Sequence, residues 1–432
     1  MDERPITIAI LGAGGRGRGF ADLLHRRFPH WARVVAVAEP RDDYRSDVAA
    51  QWGLPPERVF RDWRDLVARP KLADAALVAT LDREHRGPAV AALEQGCHLF
   101  LEKPMAVTLR DCEAIDDAAR RAGTVTTVCH SLRYHKGKSL FASILRSGRI
   151  GRLITIDQIE QVAWWHQAHS FVRGNWRRAD TTTFMLLAKS CHDLDFIASL
   201  TDEPCRRVSS FGSLTHFRPE HAPKGAAARC VDCPIETDCK YSALRQYVDT
   251  NREHWPAAVA SHDHDRASHY RAIAEGPYGR CVWRCDNDVV DHQVVAMEFG
   301  GGMTATFTMT AFTQHCSRRI RAHGTEGEAY FEDNAVVVRD FGTGNEERIH
   351  VAPEAGGHGG GDERVMRTWL RAVRAGDPSL VPTNVAESLR THRIVFAAEQ
   401  ARLEGRVVEL PADGPATRPE ATRRRAAARR RT

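Results

Sequence analysis

Along the first 130 residues, short apolar runs alternate with segments of helical spacing. Residues 6–10, 34–38, 75–80, 98–101 and 125–129 are continuous apolar or β-branched runs of strand length. Between them, 20–28, 42–52, 88–94 and 108–122 carry apolar positions at helical spacing, the last two closed by Gly96 and Gly123. Buried strands alternating with helices predict a parallel, doubly wound sheet. In such sheets ligands sit beyond the carboxyl ends of the strands, which puts Thr80, Asp82, Lys103 and His130 on one rim. The pattern changes after about residue 150. Residues 153–162, 289–299, 303–312, 319–323, 328–332 and 335–340 read as strands, several joined by glycine turns such as Gly300-Gly301-Gly302. Tight turns between consecutive strands predict a mostly antiparallel sheet. Residues 362–375 and 386–404 read as closing helices.

The most specific local signal is Gly12-Ala-Gly14-Gly15-Arg16-Gly17, directly after the first strand and before a helix. Gly12 permits the tight turn, Gly14 lets backbone approach a pyrophosphate, and Gly17 lets helix and strand pack closely. The N–H groups at the helix start, with Gly15 and Arg16, face the phosphates. Glu39 ends the second strand, where a carboxylate accepts a ribose 2′-OH and repels a 2′-phosphate; this favours NAD, although nearby Arg41 leaves NADP open. The expected architecture is an α/β Rossmann domain (1–130) followed by an α+β domain with an open, mostly antiparallel sheet (131–412).

Composition changes this picture in two places. The last sixteen residues hold seven arginines and one glutamate, more than the whole net charge of +5. The body is therefore close to neutral, and residues 413–432 read as a disordered Arg-rich tail. With no aromatic residues interleaved among the arginines, specific nucleic-acid recognition is not expected. No apolar run approaches the roughly 20 residues of a membrane span, and the chain enters its first strand too soon for a signal peptide. Eleven cysteines fit a reducing cytoplasm better than a disulfide framework. Three of them form Cys230-x2-Cys233-x5-Cys239 within a Cys/His-rich insertion at about 213–284, and Cys281 follows. Four such thiols suit a tetrahedral structural zinc. Cys281 is preferred as fourth ligand over Cys285, His262, His264 and His269; an iron–sulfur cluster and metal-free thiols are the alternatives.

Further fragments join the glycine turn: Thr80-Leu-Asp82 with His85, Glu102-Lys103-Pro104, Arg133-Tyr134, Trp176-Arg177 and His192-Asp193-Leu-Asp195. Together they resemble the glucose–fructose oxidoreductase/inositol dehydrogenase/rhizopine-catabolism (Gfo/Idh/MocA) family over roughly residues 5–410. The resemblance implies hydride transfer between NAD or NADP and a secondary alcohol of a sugar or cyclitol. It also implies a homo-oligomer paired through the open sheet face. It assigns Thr80, Asp82, His85, Glu102, Trp176 and Arg177 to the cofactor side of the crevice. Some relatives carry a similar Cys-rich insertion.

Hydride transfer from a carbinol needs a base for the hydroxyl proton and positive charge beside the developing alkoxide. Lys103 fits the second role, aimed by a cis Lys103–Pro104 peptide. His192, following a helical run at 184–191, fits the first. The family pattern has an aspartate four residues before this histidine, where Ala188 stands. Lys189 could instead pair with His192 and depress its pKa. His130, Arg133, Tyr134, His292 and His358 are candidate substrate contacts, with Asp362 as a cap on the helix that follows His358. Two further readings compete with a dehydrogenase. One is an NAD-dependent redox glycosidase that oxidises C3 transiently, eliminates, hydrates and re-reduces. The other is a sensor of sugars or dinucleotides, suggested by Ala188.

Overall fold

The structure, a computed structural model, describes residues 4–411. The expected tail at 413–432 lies outside the described residues. The first sheet has six parallel strands, β1 (Ile6–Leu11), β2 (Ala32–Ala38), β3 (Val59–Phe60), β4 (Ala75–Val78), β5 (His98–Leu101) and β6 (Thr126–Val128), in the order β3-β2-β1-β4-β5-β6. Helices α1 (Gly15–Arg27), α2 (Asp42–Trp52), α3 (Trp63–Val67), α4 (Arg86–Glu94) and α5 (Leu109–Ala122) make its crossovers. The strand order reverses beside β1, between it and β4, so the ligand crevice opens there. Gly12, at φ +92°, is fixed by sterics: a Cβ would stand 2.6 Å from the backbone of Ala79 and Thr80. At Gly17 a Cβ would meet the Gly12 carbonyl oxygen at 2.0 Å, so helix and turn can touch only through glycine.

After α6 (Lys136–Arg146) comes a nine-stranded sheet. Its strands are β7 (Leu153–Gln161), β8 (Cys205–Ser213), β9 (His292–Phe299), β10 (Thr304–Thr310), β11 (Ser317–Gly324), β12 (Gly327–Glu332), β13 (Ala335–Asp340), β14 (Glu346–His350) and β15 (Val408–Glu409). They lie in the order β14-β13-β12-β11-β7-β10-β9-β8-β15, antiparallel except for β7 and β10. β3, β8, β14 and β15 escape the sequence pattern: β3 and β15 have two residues each, and β8 and β14 are polar edge-side segments.

A short turn, α7 (Trp164–His166), runs into a π-helical stretch, Gln167–Arg173. The following helix, α8 (Met185–Ala198), is buried on nearly every face because it lies between the nine-stranded sheet and the rest of the fold. It extends through His192, which therefore sits within the helix and not after it. Between β8 and β9 the insertion holds α9 (Arg266–Glu275) and short turns around one apolar cluster of its own and a second shared with Ala168, Val172 and Ala311. Finally α10 (Gly361–Ala375) returns to the first sheet, where Trp369 packs on Phe100, and α11 (Val385–Glu404) spans both cores. Among the described residues no helix is long and apolar enough to cross a membrane.

Candidate active site

The strand β5 ends in Glu102-Lys103, and the Lys103–Pro104 peptide is cis. Lys103 Nζ donates to the Ala188 carbonyl oxygen at 2.6 Å, linking the Rossmann rim to α8 one turn before His192. Ala188 and His192 are four residues apart and share the helix face toward the crevice. His192 is buried, and neither ring nitrogen has a hydrogen-bond partner among the described residues. Burial, then the neighbouring Lys103, His358, His130 and Arg318, push its pKa well below the usual histidine value. The ring is thus a neutral base at physiological pH, with its nitrogens uncommitted.

Two other imidazoles face it. His358 lies 5.3 Å away, centroid to centroid, and His130 lies 5.8 Å away. His358 is held in left-handed backbone (φ +51°) on its glycine loop, and its Nδ1 is 2.9 Å from Asp362 Oδ1. Asp362 does not cap α10, whose N-cap is Gly360. It accepts from Ser131 Oγ at 2.5 Å and from Arg16 Nη1 at 2.7 Å. Arg16 Nε in turn donates to Glu102 at 2.6 Å, and Glu102 accepts the Lys103 backbone N–H at 2.7 Å. The glycine turn, Lys103 and His358 thereby belong to one network. Its parts are far apart in the chain, so no local pattern announces it.

Glu39 is buried at the end of β2. It accepts the Ala13 N–H at 2.9 Å and Arg41 Nε at 2.6 Å. Its pKa is lowered: the Arg41 and backbone hydrogen bonds outweigh burial, which opposes ionisation. Thr80 Oγ1, on the same rim, is buried with no hydrogen-bond partner among the described residues. Across the crevice, Trp176 Nε1 donates to Asp82 at 2.7 Å.

Several expected contacts are committed elsewhere. Lys189 does not pair with His192: it and Asp193 share the face toward the sheet, where Lys189 Nζ meets Glu160 at 3.0 Å. The lysine beside His192 is Lys103. Arg133 makes a two-pronged bond to buried Asp195 at 2.6 and 2.7 Å, and Tyr134 Oη lies 2.9 Å from Thr383 Oγ1. Both tie the domain junction to α8 and α11 and are not free for substrate. His292 pairs with Asp291 at 2.8 Å, on an aspartate that also holds Thr215 and His216 beside the insertion, outside the histidine group. Arg177 is held by Asp286 at 2.9 Å and the Gly174 carbonyl. His85 braces Pro104 and Thr80 through their carbonyls and is itself buried.

Sequence reading missed His392, Ser131 and the Glu160–Arg318–Asp193 group. His392 receives the Met105 N–H on Nε2 and gives its Nδ1 proton to Ser388, which fixes the tautomer and steadies the loop after Pro104. Arg318 lies 2.7 Å from Glu160 and 2.6 Å from Asp193, a buried group assembled from three elements.

The four cysteines Cys230, Cys233, Cys239 and Cys281 line one small cavity, and Cys285 does not join them. Buried Arg173 directs Nη2 to Cys230 Sγ at 3.5 Å. Yet among the described residues no three His, Cys, Asp or Glu side chains stand in metal-holding geometry. The expected tetrahedral set is therefore not preformed: the thiols are arranged around the cavity, not drawn together at its centre. All eleven cysteines are unpaired thiols.

A parallel sheet of this order, with a glycine turn after β1 and a ligand crevice where the strand order reverses, is a dinucleotide-binding Rossmann domain. The family described as "Oxidoreductase family, NAD-binding Rossmann fold" matches residues 6–130, and "GFO/IDH/MocA C-terminal domain" matches residues 141–330. The chain belongs to the Gfo/Idh/MocA family. It is 24% identical over 326 residues to a protein designated oxidoreductase YteT of Bacillus subtilis, spanning 70% of this chain and 73% of that one. It is 26% identical over 289 residues to levoglucosan dehydrogenase of Pseudarthrobacter phenanthrenivorans, spanning 62% and 69%. A solved structure of levoglucosan dehydrogenase with NADH shares the fold, with a TM-score of 0.69 at 18% identity over 95% of this chain and all of that one.

Proposed function

We propose that this chain transfers hydride between NAD and a secondary alcohol of a sugar, sugar derivative or cyclitol. The observation that carries this reading is Lys103 Nζ at 2.6 Å from the Ala188 carbonyl, one helical turn from a buried histidine with two unpartnered nitrogens. A nicotinamide bound on the glycine rim would supply the hydride acceptor. Gly12, Gly14, Gly15, Arg16, Gly17 and Glu39 would hold its dinucleotide, with Thr80 and Asp82 beside it. The unpartnered Thr80 hydroxyl and the buried Glu39 carboxylate suit those contacts. The Lys103 ammonium stabilises charge on the reacting oxygen, and His192 takes the hydroxyl proton. Glu102 positions Lys103 through its backbone N–H. Levoglucosan dehydrogenase, named above, supports a carbohydrate substrate.

Following NADH absorbance while a panel of sugars and cyclitols is presented with NAD tests this reading. Turnover with at least one carbohydrate, lowered about 10²- to 10³-fold by Lys103→Ala, is expected; turnover unchanged in Lys103→Ala overturns it.

The His358–Asp362 pair favours a second reading, the redox glycosidase. Elimination and hydration need a second acid–base group beyond the one serving the carbinol, and His358 faces His192 at 5.3 Å. Release of aglycone from a 4-nitrophenyl glycoside without net NADH would select it. A structural zinc on Cys230, Cys233, Cys239 and Cys281 is a finer proposal. The shared cavity and the chemistry of four thiols support it, and coordination would draw the thiols inward. Metal analysis of purified protein decides it: about one zinc per chain, lost with Cys233→Ser, is expected.

A further inference from the structure

We infer that the insertion supplies an aromatic subsite, built on Trp255 and Trp165, that stacks against a second ring of the substrate. The inference rests on the carbohydrate reading above and narrows it to glycosides or oligosaccharides.

Trp255 belongs to the insertion and is 49% exposed, an unusual state for the largest apolar side chain. It is not isolated. His166 meets it edge-on at 4.8 Å, Trp165 at 5.5 Å and His169 at 5.4 Å. Trp165 also stacks on His166 at 5.8 Å. The aromatic series continues from His166 to Phe171 at 5.9 Å and on to Trp176 at 6.2 Å, whose indole N–H reaches Asp82 on the Rossmann rim. An aromatic wall thus runs from the cofactor side of the crevice out to the insertion.

The wall meets the crevice at Trp176, whose indole N–H donates to Asp82 on the Rossmann rim at 2.7 Å. Trp255 is one ring beyond His166. In the inferred pose a sugar ring over Lys103 and His192 presents its neighbouring ring, not its reacting carbon, to Trp255.

Backbone strain points to the same place. Ala163, immediately before Trp164-Trp165-His166, is in left-handed backbone at φ +74° without being glycine, and it is fully buried. Such a conformation costs free energy and persists only where surroundings enforce it. Here Thr313 enforces it, receiving the Ala163 N–H on Oγ1 at 3.1 Å and the Trp164 N–H on its carbonyl at 3.1 Å. The π-helical stretch that follows is another rare device, frequent at functional sites. Gln246, from the insertion, donates to the Trp165 carbonyl at 3.0 Å and ties the two segments together. Rigid indoles lose little entropy on binding and offer a broad apolar face, which suits the C–H face of a pyranose or an aromatic aglycone.

The test compares wild type, Trp255→Ala and Trp255→Phe in the full chain. The probes are methyl glycosides, the matching 4-nitrophenyl glycosides and disaccharides, with KM and kcat for substrates that turn over and quenching of tryptophan fluorescence for those that only bind. NADH affinity and thermal midpoint are read alongside. Wild type is expected to favour two-ring probes over methyl glycosides by about tenfold in KM or Kd. Trp255→Ala should erase that preference with kcat, NADH affinity and thermal midpoint held, and Trp255→Phe should restore most of it. An unchanged two-ring preference in Trp255→Ala overturns the subsite while leaving hydride transfer intact. A lost preference combined with full turnover in Lys103→Ala would overturn the proposed chemistry and keep the subsite. Absence of binding to every carbohydrate in wild type overturns both.

Discussion

Lys103 Nζ donates to the carbonyl oxygen of Ala188 at 2.6 Å, at the position where the family pattern has a carboxylate. A helix carbonyl thus does part of what the missing side chain would do, holding the ammonium beside His192. Lys carries three donors, and among the described residues the ammonium makes this one bond.

Lys103→Ala is therefore expected to lower kcat/KM by about 10²- to 10³-fold, the cost of removing one charge-stabilising donor. NADH affinity should fall far less. Stopped-flow hydride transfer and fluorescence titration of NADH separate the two effects.

The same variant has a pH signature. Burial first, then Lys103, hold the His192 pKa well below the usual value. In wild type the acid limb of kcat/KM should therefore lie below pH 6.5, since the neutral base persists there. Removing the Lys103 charge relieves one depressing influence, so the residual activity of Lys103→Ala should show its acid limb at higher pH. A pH–rate profile of both proteins checks the direction.

Stability should also depend on pH. His169 and His392 have pKa values lowered to about 3, by burial first and then by Arg173 and His130 respectively. Both are neutral when folded and protonated when unfolded below about pH 6.5, so the unfolded chain binds more protons. Stability present above that pH should be lost as pH falls toward 3, each group contributing a slope of about 1.4 kcal/mol per pH unit below about pH 5.5. Denaturant titrations between pH 7 and pH 4.5 measure it. His392→Gln should shallow the slope.

Arg133→Ala separates a structural role from a substrate contact. It leaves Asp195 as an unpaired charge in a fully buried position, a loss of about 3–5 kcal/mol. A large fall in thermal midpoint with little change in KM for the surviving folded enzyme is expected. An intact midpoint with a raised KM would return Arg133 to the substrate.

On the proposed reading Glu39 sets cofactor choice; its carboxylate is engaged by the Ala13 N–H and Arg41. Wild type should prefer NAD over NADP. Glu39→Ser removes the charge that repels a 2′-phosphate and releases Arg41 toward it, so the preference should narrow by about tenfold or reverse. Steady-state kinetics with both nucleotides reads the ratio.

Local features of this chain were legible without coordinates because their causes are local. Apolar runs and turn glycines dictate strands and helices: β5 and β13 have the ranges expected from the pattern, and α2 does as well. At Gly12 and Gly17 backbone sterics leave no alternative. Lys103 and His192 stand out in the sequence as candidate chemistry because their motifs travel with the fold. What each polar group is committed to was decided only in three dimensions. Arg133 meets Asp195 across 62 residues of sequence and Arg16 meets Asp362 across 346. The aromatic wall joins Trp165 to Trp255 in the same way. A buried charge or ring takes the partner that the packed fold brings within reach, and no periodicity along the chain encodes that choice.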